Sequence, residues 1–291
     1  MRKPGCWPGC KNVSRRKGRH NMTTGFADVN GAKLYYEVTG EGQPLVLVHA
    51  GICDLRMWDD QVAAFAEHYR VVRYDMRGYG QSKPVAGAFS PHEDLRALLD
   101  HLDIERAIVL GCSFGAMTAL DFALTNPDRV SRLILVGTGL RGFDSQLDDM
   151  EDPPEWAEAE KAFDAGDYER ASEMEVRIWV DGVGRSADQV DAAVRDKVRA
   201  MNLIALTNEA VQPAETFRID PPAAQRLSDL RAPLLLIVGD LDQPDILEVA
   251  DYLAATIDGA QKVVMEGTAH MPNMEQPDLF NRHVLDWLKP S

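Results

Sequence analysis

The sequence predicts an α/β fold, in which a mostly parallel, twisted β-sheet has helices on both faces and a helical insertion. Three observations predict it. Short apolar runs, typical of strands buried on both faces, alternate with segments of helical periodicity. The alternation stops near residue 141, where only helical periodicity continues, and it resumes near residue 215. The chain of 291 residues is 45% hydrophobic and 26% charged, so it is long enough to bury a large core.

The apolar runs locate the individual strands. They predict strands at Ala32–Val38, Leu45–Val48, Val71–Tyr74, Ala107–Leu110, Leu133–Val136, Pro233–Val238 and Lys262–Met265. Apolar residues at helical spacing predict helices at Trp58–His68, Pro91–Leu102, Phe114–Leu124, Leu247–Thr256 and Pro277–Leu288. Strands that alternate with helices in this way favour a parallel sheet.

The chain is therefore expected to have three parts. Residues 1–22 form a basic tail, residues 23–140 and 215–291 form the α/β core, and residues 141–214 form a helical cap. Residues 1–21 contain seven basic side chains and no acidic one. The apolar stretch of a secretory signal is missing there, so we interpret the tail as a disordered extension. No apolar run in the chain approaches the ~20 residues that cross a bilayer, so no membrane partner is expected.

Charge and cysteine content exclude several classes of partner. The net charge is −15, and the residues after position 21 contain 24 basic and 46 acidic side chains. Because such an acidic body repels phosphate backbones, nucleic acid is not an expected partner. The four cysteines lie in the tail (Cys6, Cys10) and in the body (Cys53, Cys112). This spacing favours neither a disulfide framework nor a metal site, so we expect a cytoplasmic protein without metal or cofactor.

A candidate nucleophile follows the strand Ala107–Leu110. The sequence Gly111-Cys-Ser-Phe-Gly115 lies between this strand and the next helix, the position of a nucleophile elbow, and Ser113 is its central residue. The motif alone is weak, because a tight turn with an inert serine has the same pattern. A serine hydroxyl also needs an adjacent base, normally a histidine that a carboxylate orients.

Candidates for both partners follow the last two strands. His270 lies directly after the strand Lys262–Met265, and Asp240 and Asp242 follow the strand Pro233–Val238. Because carboxyl ends of parallel strands share one edge of the sheet, these side chains should lie near Ser113. The order Ser, Asp, His is that of a hydrolase triad on such a sheet. Position alone leaves the choice between Asp240 and Asp242 open.

Two further segments complete a resemblance to a known family. They are Val48-His-Ala-Gly-Ile52 and Tyr74-Asp-Met-Arg-Gly-Tyr-Gly-Gln-Ser82. With the elbow, they make the chain resemble the α/β-hydrolase superfamily, in its branch of capped serine esterases and lactonases. Carboxylesterases and 3-oxoadipate enol-lactonases are similar members.

The resemblance implies roles for individual residues. It assigns Asp242, rather than Asp240, as the triad carboxylate, and it assigns the backbone N–H groups of Ile52 and Phe114 to the oxyanion hole. His49, Asp75 and Arg77 take structural roles. It further implies a serine hydrolase that cleaves a small or medium ester or lactone through an acyl-enzyme formed on Ser113. We expect a monomer or a homodimer.

Two alternatives stay open at this stage. A carbon–carbon bond hydrolase would use the same triad but would need basic residues from the cap, such as Arg177 or Arg185, to bind an acidic substrate. A ligand receptor would keep the fold without turnover. The acidic cap disfavours anionic substrates, including a lactone derived from a dicarboxylate. Apolar cap side chains that could line the acyl site are Trp156, Met174, Trp179, Met201, Leu203 and Ile204.

Overall fold

The computed structural model describes residues 22–147 and 153–289. The predicted tail, apart from Met22, lies outside the described residues, and so do Cys6 and Cys10. In the part of the chain that the structure describes, no helix combines the length and the apolar character that a membrane span requires.

The centre of the molecule is an eight-stranded sheet, which confirms the predicted α/β class. Its strands are β1 (Met22–Val29), β2 (Ala32–Thr39), β3 (Pro44–Val48), β4 (Arg70–Tyr74), β5 (Ala107–Cys112), β6 (Val130–Val136), β7 (Leu234–Gly239) and β8 (Gln261–Met265). Their spatial order is β1-β2-β4-β3-β5-β6-β7-β8. β1 pairs antiparallel with β2, and β2 pairs antiparallel with β4. The strands β4, β3, β5, β6, β7 and β8 are all parallel to one another. The carboxyl ends of the parallel strands therefore lie at one edge.

Helices lie between these strands along the chain, and two more follow the last strand. They are α1 (Asp59–Phe65), α2 (Pro91–His101), α3 (Phe114–Thr125), α4 (Pro154–Asp164), α5 (Tyr168–Val176), α6 (Ala192–Val211), α7 (Pro244–Thr256), α8 (Pro272–Glu275) and α9 (Pro277–Leu288). The helix predicted at Trp58–His68 is shorter than expected, because a 3-10 turn at Leu55–Trp58 precedes it and the chain turns after Phe65.

The core has two layers, one on each face of the sheet. Along β3, Val46 and Val48 pack into the layer formed with α2, α3 and α7, whereas Leu45 and Leu47 pack into the layer formed with α1 and α9. Every residue of β5 and of β7 is buried. This two-sided burial explains why these strands are continuous apolar runs rather than alternating ones.

The strand β1 was not predicted. It begins at Met22, which we had assigned to the tail, and it pairs antiparallel with β2 at the edge of the sheet. Most of its side chains are exposed, so it lacks the apolar run by which the other strands were identified. Between β6 and β7 the described residues form α4, α5, a π-helical turn at Arg177–Asp181, α6 and short 3-10 turns, joined by loops.

Candidate active site

Ser113 occupies the sharp turn between β5 and α3. Its backbone has φ 54° and ψ −119°, a region that residues other than glycine rarely adopt. The Ser113 N–H donates to the Val136 carbonyl at 2.8 Å, and the Met117 N–H donates to the Ser113 carbonyl at 2.9 Å. Cys112 beside it is fully buried, whereas Ser113 is partly exposed. The turn thus presents the serine at the carboxyl edge of the sheet.

The glycines on both sides of Ser113 are required by close backbone approaches. A Cβ atom on Gly111 would overlap the carbonyl of Gly115, and one on Gly115 would overlap the carbonyl oxygens of Val48 and His49. Only glycine leaves room for α3 to start this close to the end of β3. The spacing of the motif therefore has a steric cause.

His270 and Asp242 form a buried pair. The two carboxylate oxygens of Asp242 lie 2.8 and 2.9 Å from His270 Nδ1, and both side chains are 1% exposed. A carboxylate at this place accepts a hydrogen bond from Nδ1–H, which in a neutral imidazole leaves the lone pair on Nε2. Nε2 has no hydrogen-bond partner among the described residues. This is the tautomer that a general base needs.

Ser113 and His270 lie at the same edge of the sheet, but they form no hydrogen bond with each other among the described residues. The link between the two segments is Cys112, whose thiol is 3.7 Å from the His270 carbonyl oxygen. The His270 N–H in turn donates to the Trp179 carbonyl at 3.2 Å. In enzymes without bound substrate, hydrogen bonds between catalytic groups are often long or absent and shorten only in the complex.

Asp240 lies apart from this pair. It is exposed, and its Oδ1 accepts a hydrogen bond from the Gly267 N–H at 2.6 Å. This contact joins the loop after β7 to the turn after β8. Of the two aspartates that the sequence left open, Asp242 alone contacts the imidazole of His270 in the described structure.

Ile52 and Phe114 lie together at the wall of a cavity. The Ile52 N–H donates to no group within residues 22–147 and 153–289. Phe114 is the first residue of α3, so its N–H has no helical carbonyl to bind. Two backbone N–H groups without a hydrogen-bond partner in the described structure are thus found near the turn that contains Ser113.

His49 supports the loop after β3. Its Nδ1 donates to the Ala50 carbonyl at 2.8 Å, and its Nε2 accepts from the Met76 N–H at 2.9 Å. Complete burial lowers the pKa of His49 to about 4, so the ring is neutral at pH 7. Both ring nitrogens are already engaged, and neither is available as a base.

Asp75 and Arg77 also make structural contacts. The carboxylate of Asp75 accepts from the Leu55 N–H at 2.9 Å and from the Gln81 N–H at 2.7 Å, and burial raises its pKa to about 7. Arg77 forms a buried, two-pronged ion pair with Asp94, at 3.0 and 2.9 Å. These contacts brace the loops beside the cavity.

Cys53 and Cys112 are free and buried. Burial raises the pKa of both thiols, so they behave as small apolar groups rather than as nucleophiles. Within residues 22–147 and 153–289, no group of three or more His, Cys, Asp or Glu side chains has the arrangement of a metal site.

A cavity of about 280 Å³ lies between the sheet edge and the cap. Its wall includes backbone and aromatic side chains from the core loops and polar and aromatic side chains from the cap helices. They are Gly51, Ile52, Arg77, Gly78, Tyr79, Pro84, Phe89, Phe114, Trp156, Glu175, Trp179, Asn202, Ala205, Leu206, Glu209, Gln212, Ala214 and Thr216. The ring of Trp179 also lies 4.3 Å from the ring of His270, centroid to centroid.

Two of the six cap residues expected at the acyl site line this cavity, namely Trp156 and Trp179. Met174 and Met201 are buried in packing instead, and neither Leu203 nor Ile204 belongs to the cavity wall. The sequence analysis missed Glu175, Asn202 and Glu209. No motif marks these residues, because only the packing of α5 against α6 brings them together.

The two arginines proposed as inward-turning cations do not line the cavity. Arg185 pairs with Glu275 at 2.7 Å, and it also donates to backbone carbonyls. Arg177 is exposed and pairs with Glu173 at 3.3 Å.

Comparisons with known proteins agree with this architecture. The family described as alpha/beta hydrolase fold matches residues 43–174. The 2-hydroxy-6-oxononadienedioate/2-hydroxy-6-oxononatrienedioate hydrolase of Cupriavidus pinatubonensis is 31% identical in an alignment of 231 positions that covers 77% of this chain and 77% of that protein. The chain belongs to the α/β hydrolase family. The predicted family is therefore confirmed.

Other α/β hydrolases similar to this chain act on esters and lactones. The pimeloyl-[acyl-carrier protein] methyl ester esterase of Pectobacterium atrosepticum is 29% identical, covering 87% of this chain and 98% of that protein. The crystal structure of the enol-lactonase from Burkholderia xenovorans has a TM-score of 0.73 and 28% identity, covering 91% of this chain and 99% of that one. Relatives of this hydrolase thus include esterases, lactonases and carbon–carbon bond hydrolases.

Proposed function

We propose that the protein is a serine hydrolase that cleaves small or medium carboxylic esters or lactones through an acyl-enzyme. The observation that supports this most is the buried Asp242–His270 pair, which leaves Nε2 of the imidazole free at the sheet edge where the elbow presents Ser113. The cavity is next to them through Phe114, which follows Ser113, and Trp179, whose ring lies 4.3 Å from that of His270, although Ser113 and His270 are not themselves part of its wall.

The proposed mechanism has two steps. His270 Nε2 accepts the hydroxyl proton of Ser113 as the oxygen attacks the substrate carbonyl, and the Ile52 and Phe114 N–H groups stabilise the oxyanion. His270 then gives this proton to the leaving alcohol, so that the acyl group remains on Ser113. In the second step His270 removes a proton from water as the water oxygen attacks the acyl-enzyme, and it then returns this proton to the Ser113 oxygen as the acid is released. Asp242 keeps the proton on Nδ1 and stabilises the imidazolium.

The charges at the cavity favour ester chemistry over cleavage of an acidic diketone. The relative from Cupriavidus pinatubonensis is named for a dioate, which is a dicarboxylate. In this chain the cavity wall contains the carboxyl groups of Glu175 and Glu209, and its one arginine, Arg77, is paired with Asp94. An anionic substrate would meet repulsion, and the cavity wall has no unpaired cation among the described residues to offset it.

Hydrolysis of p-nitrophenyl esters from acetate to decanoate tests the proposal. We expect steady turnover by the wild type, with an optimum at short or medium acyl chains because the cavity is only about 280 Å³. In Ser113→Ala, kcat should fall about 10⁴-fold or more, because no acyl-enzyme can form. A fluorophosphonate should label Ser113 in the wild type and not in the variant, as read by peptide mass spectrometry.

Other outcomes would contradict the proposal. Turnover that persists in folded Ser113→Ala would exclude the serine mechanism. A single burst of p-nitrophenol without further turnover would identify a receptor that retains the triad. Turnover of a ring-fission diketone with none on any ester would identify a carbon–carbon bond hydrolase.

A further inference from the structure

Five aromatic rings line the cavity that lies next to the nucleophile elbow. They belong to Tyr79, Phe89, Phe114, Trp156 and Trp179. The rings of Trp156 and Trp179 meet edge to face, with centroids 5.7 Å apart. Aromatic faces attract cations through their quadrupole, and quaternary ammonium groups are the ligands that such walls bind best.

A carboxyl group completes this wall. Glu175, on α5, accepts a hydrogen bond at Oε2 from the buried amide of Asn202 at 2.7 Å. Its other oxygen, Oε1, has no hydrogen-bond partner among the described residues, and the side chain lines the cavity. Burial raises the pKa of Glu175. A cation held against the carboxylate would offset this loss of solvation and favour the ionised form.

The arginines around the cavity have ion-pair partners in the described parts of the chain, but its carboxyl groups have none. In the described parts of the chain, neither Glu175 nor Glu209 forms an ion pair, although Glu209 lies on the same cavity wall. Two arginines stack on cavity rings, Arg77 on Phe89 and Arg218 on Phe114, but both are paired with aspartates. Uncompensated negative charge therefore belongs to the cavity itself.

We propose that Glu175 and the surrounding aromatic rings select esters or lactones that contain an ammonium group. This inference rests on the proposed function, because it names the substrate class of the same cavity. Glu175 supplies the charge, Trp156 and Trp179 supply ring faces, and Glu209 adds negative charge at the exposed end of the cavity. Glu175 is thus a specificity-determining residue rather than a member of the triad.

Matched pairs of substrates separate charge from shape. Butyrylcholine and 3,3-dimethylbutyl butyrate differ only in a trimethylammonium group that is replaced by tert-butyl in the alcohol. The p-nitrophenyl esters of 4-(trimethylammonio)butyrate and of 5,5-dimethylhexanoate make the same exchange in the acyl chain. For at least one pair, kcat/KM of the wild type should favour the ammonium ester by about tenfold or more.

Two substitutions on α5 then test whether Glu175 causes the preference for ammonium esters. Glu175→Gln keeps the shape and the hydrogen bond to Asn202 but removes the charge, so the ratio of ammonium to neutral ester should fall to within about threefold of one. Glu169→Gln is the matched control, because Glu169 lies on the same helix, is exposed and does not line the cavity. Its ratio should equal that of the wild type. Thermal unfolding of both variants checks that they are folded.

The results decide between clear alternatives. A wild-type ratio of one or below for both pairs, or a ratio that Glu175→Gln leaves unchanged, would overturn the inference. If no ester is hydrolysed, the proposed function fails, and calorimetry of choline against 3,3-dimethylbutanol still tests the cavity. Tighter binding of choline that weakens about tenfold in Glu175→Gln would support ammonium recognition without turnover. Equal binding of the two alcohols would overturn it.

Discussion

At the scale of single residues, Asp240 and Asp242 lie two positions apart in one loop but make different contacts. Both follow β7, and the sequence predicted both at the same edge of the sheet. The structure buries Asp242 against His270 and leaves Asp240 exposed, bonded to the Gly267 N–H. Spacing alone could not choose between them, because the choice depends on how the loop after β8 folds back. The choice of Asp242 came instead from the resemblance to a known family.

These two aspartates give a matched pair of variants. Asp242→Asn should lower kcat about 10⁴-fold, because an amide beside Nδ1 no longer holds the imidazole in the tautomer with a free Nε2. Asp240→Asn should change kcat less than about threefold, because its side-chain carbonyl can still accept from Gly267. Steady-state hydrolysis of p-nitrophenyl butyrate measures both. A large loss in Asp240→Asn with full activity in Asp242→Asn would exclude the proposed triad.

At the scale of elements, the edge hairpin shows what an apolar-run analysis misses. β1 and β2 are joined by Asn30-Gly31, whose φ angles of 47° and 79° are those of a tight hairpin turn. An Asn-Gly pair is itself a strong hairpin signal, and it would have located β1. A search for buried apolar runs could not locate β1, because an edge strand with one solvated face has too few apolar residues. The central strands are buried on both faces, and all of them were predicted.

The crossing of α3 over the end of β3 sets the position of the nucleophile elbow. In Gly115→Ala, the new Cβ would overlap the carbonyl oxygens of Val48 and His49, which are backbone and cannot rotate away. We expect a loss of about 3 kcal/mol or more in the free energy of unfolding, together with a large loss of turnover as Ser113 is displaced. Urea unfolding and ester hydrolysis measure the two effects.

A glycine with open surroundings is the control for this substitution. Gly87 has φ 97°, and nothing lies within 4 Å of a Cβ built on it. Gly87→Ala should therefore cost only the backbone strain of about 1 kcal/mol and leave turnover intact. If Gly115→Ala were no more destabilising than Gly87→Ala, the close approach of α3 and β3 would not determine the elbow.

At the scale of the whole molecule, the core and the cap differ in how far the sequence could predict them. The sheet, its layers and the edge that gathers Ser113, Asp242 and His270 depend on periodicity and chain order. The shape and charge of the cavity depend instead on how α5 and α6 dock on the core. For this reason Glu175 and Asn202 were not found, while Met174 and Met201 were expected at the cavity and are buried elsewhere.

The net charge of −15 makes the molecule's long-range field a test of ammonium selection. A field of this sign attracts cationic substrates at low salt, and it is screened between ~10 mM and ~0.15 M ionic strength. We expect kcat/KM for butyrylcholine to fall severalfold over this range, while that for 3,3-dimethylbutyl butyrate stays nearly constant. Glu175→Gln should keep this salt dependence and lose the local preference, because one side chain contributes little to the total charge. If salt changed kcat/KM equally for both substrates, its effect would be on the protein itself rather than on the attraction of the cationic substrate.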